Sequence, residues 1–293
     1  MTLTTSPFRL EPSFSERIWG RRSLAPWYPN AKAAEPIGEA WLSGPECVVL
    51  TGNEKGKMLA EVAPGFPLLV KILFPADKLS VQVHPNDMEA QALGQARGKT
   101  ECWYVLEAEP GATVALGIKP GTTIEQLRAS GQSGTMENLI EMVPVSAGDM
   151  VFVDAGTVHA IGPGVTLLEV QQTSDITYRL YDYGRPREMH LEQGLAVTRL
   201  KTTAGKRAPR SMDGFVRLIE EQYFVVDRFE VVGETPVSFA GVGCLVGLSG
   251  TASVRSEDGS AVDLVAGEAV ICPIGTLTVT GTAGFVRCVA PEA

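Results

Sequence analysis

The sequence predicts a mainly β protein made of two related β-barrels, and two observations favour this fold class. Much of the 293-residue chain falls into short apolar or alternating runs that end at glycine or proline, such as PLLVKILF, ECWYVLEA and YFVVDRFEVV. Many short strands bounded by turn residues are typical of β-barrels and β-sandwiches. In addition, AGDMVFVDAGTVHAIG (147–162) aligns without a gap to AGEAVICPIGTLTVTG (266–281). A repeated strand–turn–strand unit indicates a duplicated barrel.

The repeat suggests where the chain divides. We expect a first domain over 1–201 with an N-terminal extension, a basic linker over 202–214 (TTAGKRAPRSMDG), and a second barrel over 215–293. Helical patterns are few. Residues 86–98 follow a proline and predict about three helical turns. Residues 122–143 predict two short helices split at Gly131 and Gly134, and REMHLEQGLAV predicts one more helix.

Composition excludes several classes of function. The net charge of −9 disfavours nucleic-acid binding, which needs a basic face. No apolar run reaches membrane length, and the N-terminus lacks the pattern of a secretory signal. The five cysteines are scattered and show no CxxC pair, which favours reduced thiols. We therefore expect a cytoplasmic protein, either a monomer or a homodimer, with no nucleic-acid or membrane partner.

Four polar residues stand where the first barrel's strands would end. Gln82 and His84 are two apart, so they point to the same face of one strand, and Glu101 begins the next apolar run. His159 belongs to the first copy of the repeat, whereas the second copy has Thr278 at that position. Two imidazoles, a carboxylate and an amide oxygen suit Zn²⁺, one ion per chain, or another divalent metal.

Several motifs carry a resemblance to a known family. The run from Gly148 through Asp154 and Gly156 to His159 is similar to the second cupin motif, with aspartate in place of its usual proline. QVHP followed by KTECWYVL resembles the first cupin motif of type I mannose-6-phosphate isomerases, in which glutamine replaces the first histidine. WGRRSL, PIGEAWLSG, GTVHAIGPGV and EVQQTSDITYRLYDYGR resemble further segments of that family, in the same order.

The resemblance implies two cupin (jelly-roll) β-barrels with short helical insertions, the second barrel lacking metal ligands. It also implies a zinc-dependent isomerase that interconverts mannose 6-phosphate and fructose 6-phosphate through an enediol. By motif position the zinc ligands would be Gln82, His84, Glu101 and His159. The catalytic residues would be Arg179, Glu169 and Lys99, and the substrate-binding residues would be Lys71, Ser80 and Trp19.

Each pocket residue has a structural alternative. Arg179 could pair with Asp182 or Asp175 on the surface. Lys99 could be solvated, Ser80 could belong to a turn, and Trp19 could serve packing. The sequence does not decide which residue moves the proton. His190 is not assigned to the metal, since it lies within REMHLEQGLAV, a predicted helix in which we expect it to have a structural role.

Two other functions compete with this one. A cupin isomerase for another sugar phosphate, such as glucose 6-phosphate, would need the same ligands. A non-catalytic cupin that binds sugar or metal would keep the ligands without a polar shell, and the presence of Lys71, Lys99, Glu169 and Arg179 argues against it.

Overall fold

The computed structural model describes residues 5–291, which separate into two compact units. One unit contains residues 17–21 and 73–207, and it is called the metal-site unit below, after the metal ligands that the sequence predicts within it. The other contains the described residues up to 16, residues 22–72, and those from 208 onward, and it is called the C-terminal unit. The chain is mainly β, as predicted. None of the helices in the described part has the length and hydropathy needed to span a membrane.

The secondary structure consists of many strands and a few short helices. The strands are β1 (Phe8–Leu10), β2 (Ser13–Arg21), β3 (Ile37–Trp41), β4 (Leu68–Leu73), β5 (Val81–Val83), β6 (Glu101–Ala108), β7 (Thr113–Ile118), β8 (Ile140–Pro144), β9 (Met150–Val153), β10 (His159–Ile161), β11 (Val165–Gln172), β12 (Tyr178–Tyr181), β13 (Gly205–Arg207), β14 (Arg210–Ser211), β15 (Val216–Glu221), β16 (Phe224–Phe239), β17 (Gly243–Arg255), β18 (Ala261–Val265), β19 (Ala269–Cys272) and β20 (Gly275–Val289). The helices are α1 (Leu59–Val62), α2 (Asp87–Ala92), α3 (Ile124–Ser133) and α4 (Leu191–Val197), with one 3₁₀ helix at Met136–Leu139.

The metal-site unit is built from two antiparallel sheets. One sheet has the order β12-β5-β10-β7-β8, and the other includes β13-β9-β6-β11 in that order. Side chains alternate across each sheet, so one face of β6 contributes Trp103 and Val105 to the same apolar core as Ile161 of β10. The opposite face of the five-stranded sheet packs against α3 and α4, where Leu127 and Leu195 are buried. Alternation thus reserves one face of β5, β6 and β10 for the barrel interior.

The C-terminal unit contains a large antiparallel sheet. Its order is β1-β19-β17-β20-β16-β15-β14, with β18 paired to β17. Apolar side chains, Phe229, Phe239 and Phe285 among them, fill the core on one face of this sheet. The N-terminal strand β1 forms part of the sheet, because Phe8 pairs with Ile271 of β19.

The sequence repeat is also a structural repeat. β9 and β19 occupy equivalent positions in the two copies, and each is preceded by a glycine with positive φ, Gly148 at 92° and Gly267 at 81°. The turn after each strand has a second such glycine, Gly156 at 88° and Gly275 at 128°. Only glycine adopts these conformations without strain, which explains why the spacing of the glycines is preserved.

The boundaries of the two compact units do not coincide with those of the predicted domains. Residues 22–72, placed in the predicted domain 1–201, belong to the unit of the C-terminal strands. The chain passes from one unit to the other after Arg207, which lies within the predicted linker 202–214. Part of that linker is strand, however, since β13 pairs with β9 and β14 with β15. The boundaries at 201 and 215 stay a prediction of the functional domains.

Two helix predictions were wrong in detail. The segment 86–98 forms only the six residues of α2, with Asn86 as a capping box partner of Glu89. In 122–143, α3 continues through Gly131 and ends at Gly134, which adopts the left-handed conformation. A 3₁₀ turn and β8 then replace the second helix. The lack of a side chain at Gly131 makes room for a neighbouring residue, since a Cβ there would lie 2.9 Å from Leu191 Cδ1.

Candidate active site

Three ionisable side chains converge inside the metal-site unit. His84 follows the end of β5, Glu101 begins β6 and His159 begins β10. One ligand atom from each lies within 4.8 Å of the others, and all three residues are buried. The Glu101 carboxylate oxygens lie 3.6 Å from His84 Nε2 and 3.4 Å from His159 Nε2. The structure therefore brings three of the four predicted metal ligands together at strand ends.

Main-chain carbonyls set the tautomer of both imidazoles. His84 Nδ1 lies 2.8 Å from the Ile176 carbonyl oxygen, and His159 Nδ1 lies 2.9 Å from that of Thr157. Since a carbonyl only accepts, each Nδ1 must carry a proton and donate it. Each Nε2 of a neutral imidazole then presents a lone pair towards Glu101. Burial, which is the largest cause, and the nearby Lys99 charge together lower the pKa of His159 to about 4, which favours the neutral ring.

This arrangement fits a cation. Two imidazole lone pairs and a carboxylate are all acceptors, so their convergence is unfavourable unless positive charge lies between them. Ligands of a tetrahedral zinc ion lie about 3.3–3.6 Å apart when each is about 2.0–2.2 Å from the metal. The 3.6 Å separation from Oε2 to His84 and the 3.4 Å separation from Oε1 to His159 fall within that range, each measured from a different Glu101 oxygen.

Gln82, the fourth predicted ligand, lies on β5 next to these three residues. It lies opposite His159 of β10 in the ladder, and its Nε2 is 3.2 Å from His159 Nε2. Because that imidazole nitrogen is the unprotonated one, the Gln82 amide donates to it in this orientation. The buried Ser80 hydroxyl donates to Gln82 Oε1 over 3.2 Å. Ser80 is thus adjacent to a predicted ligand rather than an exposed turn residue.

Lys99 and Glu169 lie beside the predicted metal ligands. Lys99 Nζ is 3.0 Å from Glu101 Oε2 and 3.7 Å from Glu169 Oε1, and both side chains are buried. Burial alone would lower the pKa of Lys99, but the carboxylates of Glu101 and Glu169 outweigh that effect and raise it. Lys99 is therefore an ammonium ion held between carboxylates, and the solvated alternative is excluded.

The pairing of β11 with β6 adds two more polar side chains to the face that carries Glu101. On β11, Glu169 lies opposite Trp103 and Gln171 opposite Glu101, so their side chains emerge on the same face. The Trp103 indole donates to Glu101 Oε1 over 3.1 Å and its ring meets the His159 ring edge-on at 5.6 Å. The Trp103 ring thus provides an apolar surface in contact with Glu101 and His159.

Comparison with known proteins gives this site a context. The family model described as "Phosphomannose isomerase type I, catalytic domain" matches residues 7–117. The chain is 36% identical over 258 residues to mannose-6-phosphate isomerase ManA of Bacillus subtilis, covering 79% of this chain and 81% of that protein. It is 35% identical over 252 residues to the mannose-6-phosphate isomerase of Streptococcus mutans, covering 78% and 79%.

The fold agrees with these matches. A crystal structure of mannose 6-phosphate isomerase from Bacillus subtilis superposes with a TM-score of 0.86 at 29% identity, covering 97% of this chain and 99% of that one. The chain belongs to the type I phosphomannose isomerase family. Its fold is therefore the cupin fold of that family, as the motifs predicted.

The family's predicted active-site arginine lies next to Gln82. Arg179 of β12 is directly opposite Gln82 of β5, which is itself opposite His159 of β10. Arg179, Gln82 and His159 therefore form one row on the inner face of the sheet. Arg179 Nε is buried and has no hydrogen-bond partner within residues 5–291. Asp182, considered above as a surface partner of Arg179, is bonded instead to Arg185 and Arg187.

The two remaining predicted substrate contacts have other surroundings. Lys71 belongs to the C-terminal unit, where it is buried, lies 3.7 Å from Glu39 and stands over the Trp41 ring at 4.5 Å. Trp19 is 3% exposed and packs in the apolar core with Trp103, as the packing alternative expected. The substrate roles of both residues stay predictions.

His190 has a structural position. It is the residue before α4, its backbone N–H donates to the Arg179 carbonyl over 2.8 Å, and its Nδ1 accepts from the Arg179 N–H over 3.4 Å. These bonds join the start of α4 to β12, in agreement with the choice not to assign it to the metal.

Sequence reasoning missed the groups that orient the ligands. The carbonyls of Ile176 and Thr157 belong to the main chain and leave no trace in residue identity. Gln171 and Gln172 lie within the motif EVQQTSDITYRLYDYGR and were not predicted as site residues, although both are buried. Two adjacent glutamines ending an apolar strand were a signal that could have marked them.

Proposed function

We propose that this protein is a zinc-dependent aldose–ketose isomerase that interconverts mannose 6-phosphate and fructose 6-phosphate. One observation carries the proposal: in a chain of this family, His84, Glu101 and His159 converge within 4.8 Å. Support also comes from the names of the curated relatives, which are mannose-6-phosphate isomerases. A cytoplasmic location and a monomeric or dimeric state stay predictions.

The proposed zinc ligands are Gln82, His84, Glu101 and His159. Rotating the Gln82 amide by 180° would turn its oxygen towards His159 and the site, and Ser80 could then accept from the amide nitrogen. A bound zinc ion would supply positive charge where the substrate's C1 and C2 oxygens become negative. Lys99 would balance part of the ligand charge from its position 3.0 Å from Glu101.

The isomerisation requires a proton to move between C1 and C2. Glu169 is the carboxylate that we propose as its carrier, because it lies on the face of the metal ligands and beside Lys99 without being a ligand itself. The Lys99 ammonium would donate to a substrate oxygen as negative charge develops on the enediol. Arg179, with its fixed guanidinium fork, would hold the phosphate or the enediolate from the adjacent strand.

The proposal is tested by measuring conversion of mannose 6-phosphate before chelation, after chelation and after adding zinc. We expect activity to be lost on chelation and to return with about one zinc ion per chain. Glu101→Gln should lose both zinc and activity, whereas Glu107→Gln on the same strand should retain both. Zinc binding without turnover of mannose 6-phosphate, together with turnover of glucose 6-phosphate, would assign another sugar phosphate. Absence of zinc binding would contradict the metal centre.

A further inference from the structure

Gln171 is a fully buried polar residue to which no role has been assigned. Its side chain is 0% exposed and leaves β11 on the same face as Glu101, the residue opposite it in the ladder. Its amide nitrogen donates two hydrogen bonds, one to the Gln172 carbonyl at 3.0 Å and a short one to the Ser174 carbonyl. Both amide protons are therefore used, and both acceptors are main-chain atoms.

These two bonds fix the orientation of the amide. If the amide were rotated, its oxygen would face two carbonyl oxygens, which cannot donate. The bonds also close the turn that follows β11, together with the Ser174 N–H, which donates to the Gln172 carbonyl over 2.7 Å. Gln171 thus restrains the main chain at 172 and 174 from inside the unit.

The restrained turn leads directly to a group that orients a metal ligand. Two residues after Ser174, the Ile176 carbonyl accepts the proton of His84 Nδ1 over 2.8 Å. That bond decides which nitrogen of His84 faces Glu101. A single residue, Asp175, separates the Ile176 carbonyl from the turn that Gln171 restrains.

We propose that Gln171 is a positioning residue for the metal centre, acting on His84 through the turn at 172–176. This inference rests on the proposed function only for the presence of the metal. Partners that orient a ligand typically change metal affinity by about 10–100-fold when they are removed. A direct role is the competing possibility, because Gln171 Oε1 has no hydrogen-bond partner among residues 5–291 and could accept from a substrate hydroxyl.

The test compares Gln171→Met, which removes the amide, and Gln171→Glu, which keeps acceptors but offers at most one donor, and none when ionised, to the two carbonyls. Gln126→Met is the matched control, since Gln126 accepts from the Thr123 N–H in an exposed capping box of the same unit. Zinc affinity of each protein is measured by competition with a chelator, without substrate. Initial rates with mannose 6-phosphate are then measured across a range of free zinc, and thermal unfolding reports folding.

We expect both Gln171 variants to bind zinc about tenfold more weakly than the unmodified protein, the lower end of the range for a partner that touches a ligand, because Gln171 acts through the turn. Gln126→Met should bind zinc normally. Raising free zinc should restore most of kcat in the Gln171 variants, with KM for the sugar phosphate little changed. Unchanged zinc affinity in a folded Gln171→Met protein would overturn the inference, and a raised KM would then assign Gln171 to the substrate. If one Gln171 variant does not fold, the other decides the result.

The outcomes separate this inference from the proposed function. Zinc binding is read without substrate, so weaker binding in the Gln171 variants supports the positioning role even if mannose 6-phosphate proves not to be the substrate. Absence of zinc binding in the unmodified protein would overturn both ideas at once.

Discussion

At the residue scale, a buried carboxylate that is not a metal ligand is the main candidate for proton transfer. Glu169 lies one strand from Glu101, and its carboxylate is 3.7 Å from Lys99 Nζ. Glu169→Gln keeps the shape of the side chain but cannot carry a proton. We expect kcat to fall by about 10²–10⁴-fold, since general acid–base groups contribute that much. Steady-state kinetics with mannose 6-phosphate would measure the change.

The control for this variant is Glu125→Gln, which changes an exposed glutamate in the first turn of α3. Zinc affinity should remain close to normal in both proteins, because neither residue is a proposed ligand. A Glu169→Gln protein with unchanged kcat would move the proton-carrier role to another residue, with Lys99 as the next to be replaced.

Asp154 shows how one residue can substitute for the proline of a motif. Its Oδ1 accepts from the Thr157 hydroxyl at 2.7 Å, and its Oδ2 accepts from the backbone N–H and hydroxyl of Thr203 at 2.9 and 3.0 Å. In the second copy of the repeat, Pro273 stands at the equivalent position. Hydrogen bonds therefore restrain in the first copy a turn that the proline ring restrains in the second.

Asp154→Ala should lower the free energy of unfolding by about 1–3 kcal/mol, because it leaves the hydroxyl of the buried Thr157 without its acceptor. Denaturant unfolding with Asp213→Ala, at an exposed position, as the control would measure the difference. We expect the stability of Asp154→Asn to lie between those of Asp154→Ala and the unmodified protein, since the asparagine amide oxygen can still accept a hydrogen bond. Equal stability of Asp154→Ala and the unmodified protein would show that the turn needs no side-chain restraint.

At the element scale, the segment between β5 and β6 connects two proposed metal ligands, His84 and Glu101. Gly98 closes it: its N–H donates to Asp87 Oδ1 over 2.8 Å, and the following Lys99 N–H donates to the Pro85 carbonyl over 3.0 Å. A Cβ at Gly98 would lie 2.4 Å from the Asn86 carbonyl carbon and 2.6 Å from the Pro85 oxygen. These are backbone atoms that cannot move aside independently.

Gly98→Ala should therefore displace Lys99 and Glu101 from the site. We expect a loss of zinc affinity of about tenfold or more, comparable to the loss of a partner that orients a ligand. Gly94→Ala provides a control on the same segment for a glycine with open space around its Cβ position. That substitution should cost stability through its positive φ of 78° without changing zinc affinity. Equal zinc affinity in the two variants would contradict this account.

The same scale shows what the sequence could predict. Alternation and glycine spacing identified the strands and the repeat, because both signals are local along the chain. They also placed His84, Glu101 and His159 at strand ends, where the structure has them. The pairing of β1 with β19 left no such signal, since Phe8 and Ile271 are remote in sequence. The carbonyl groups that orient the two histidines were equally invisible, because every residue has one.

At the scale of the whole molecule, duplication has produced two copies of one motif with different interiors. In the first copy His159 is buried beside Glu101, whereas Thr278 of the second copy is part-exposed and pairs with Pro236 in the ladder between β16 and β20. Apolar side chains such as Leu277 and Val279 fill the adjoining core of the C-terminal unit. A core of this kind needs no ligand for its stability, whereas a cation bound between the convergent acceptors of the metal-site unit would add to the stability of that unit.

Zinc should therefore stabilise the metal-site unit against heat. A ligand that binds only the folded state at 100 times its dissociation constant adds about 2.7 kcal/mol to the free energy of unfolding. For a unit of this size that corresponds to a rise in the unfolding midpoint of about 5–10 °C. Calorimetry with zinc and with chelator would measure it, and Glu101→Gln should abolish the rise while Glu107→Gln keeps it. An equal midpoint with and without zinc in the unmodified protein would mean that Lys99 alone suffices to stabilise the converging acceptors.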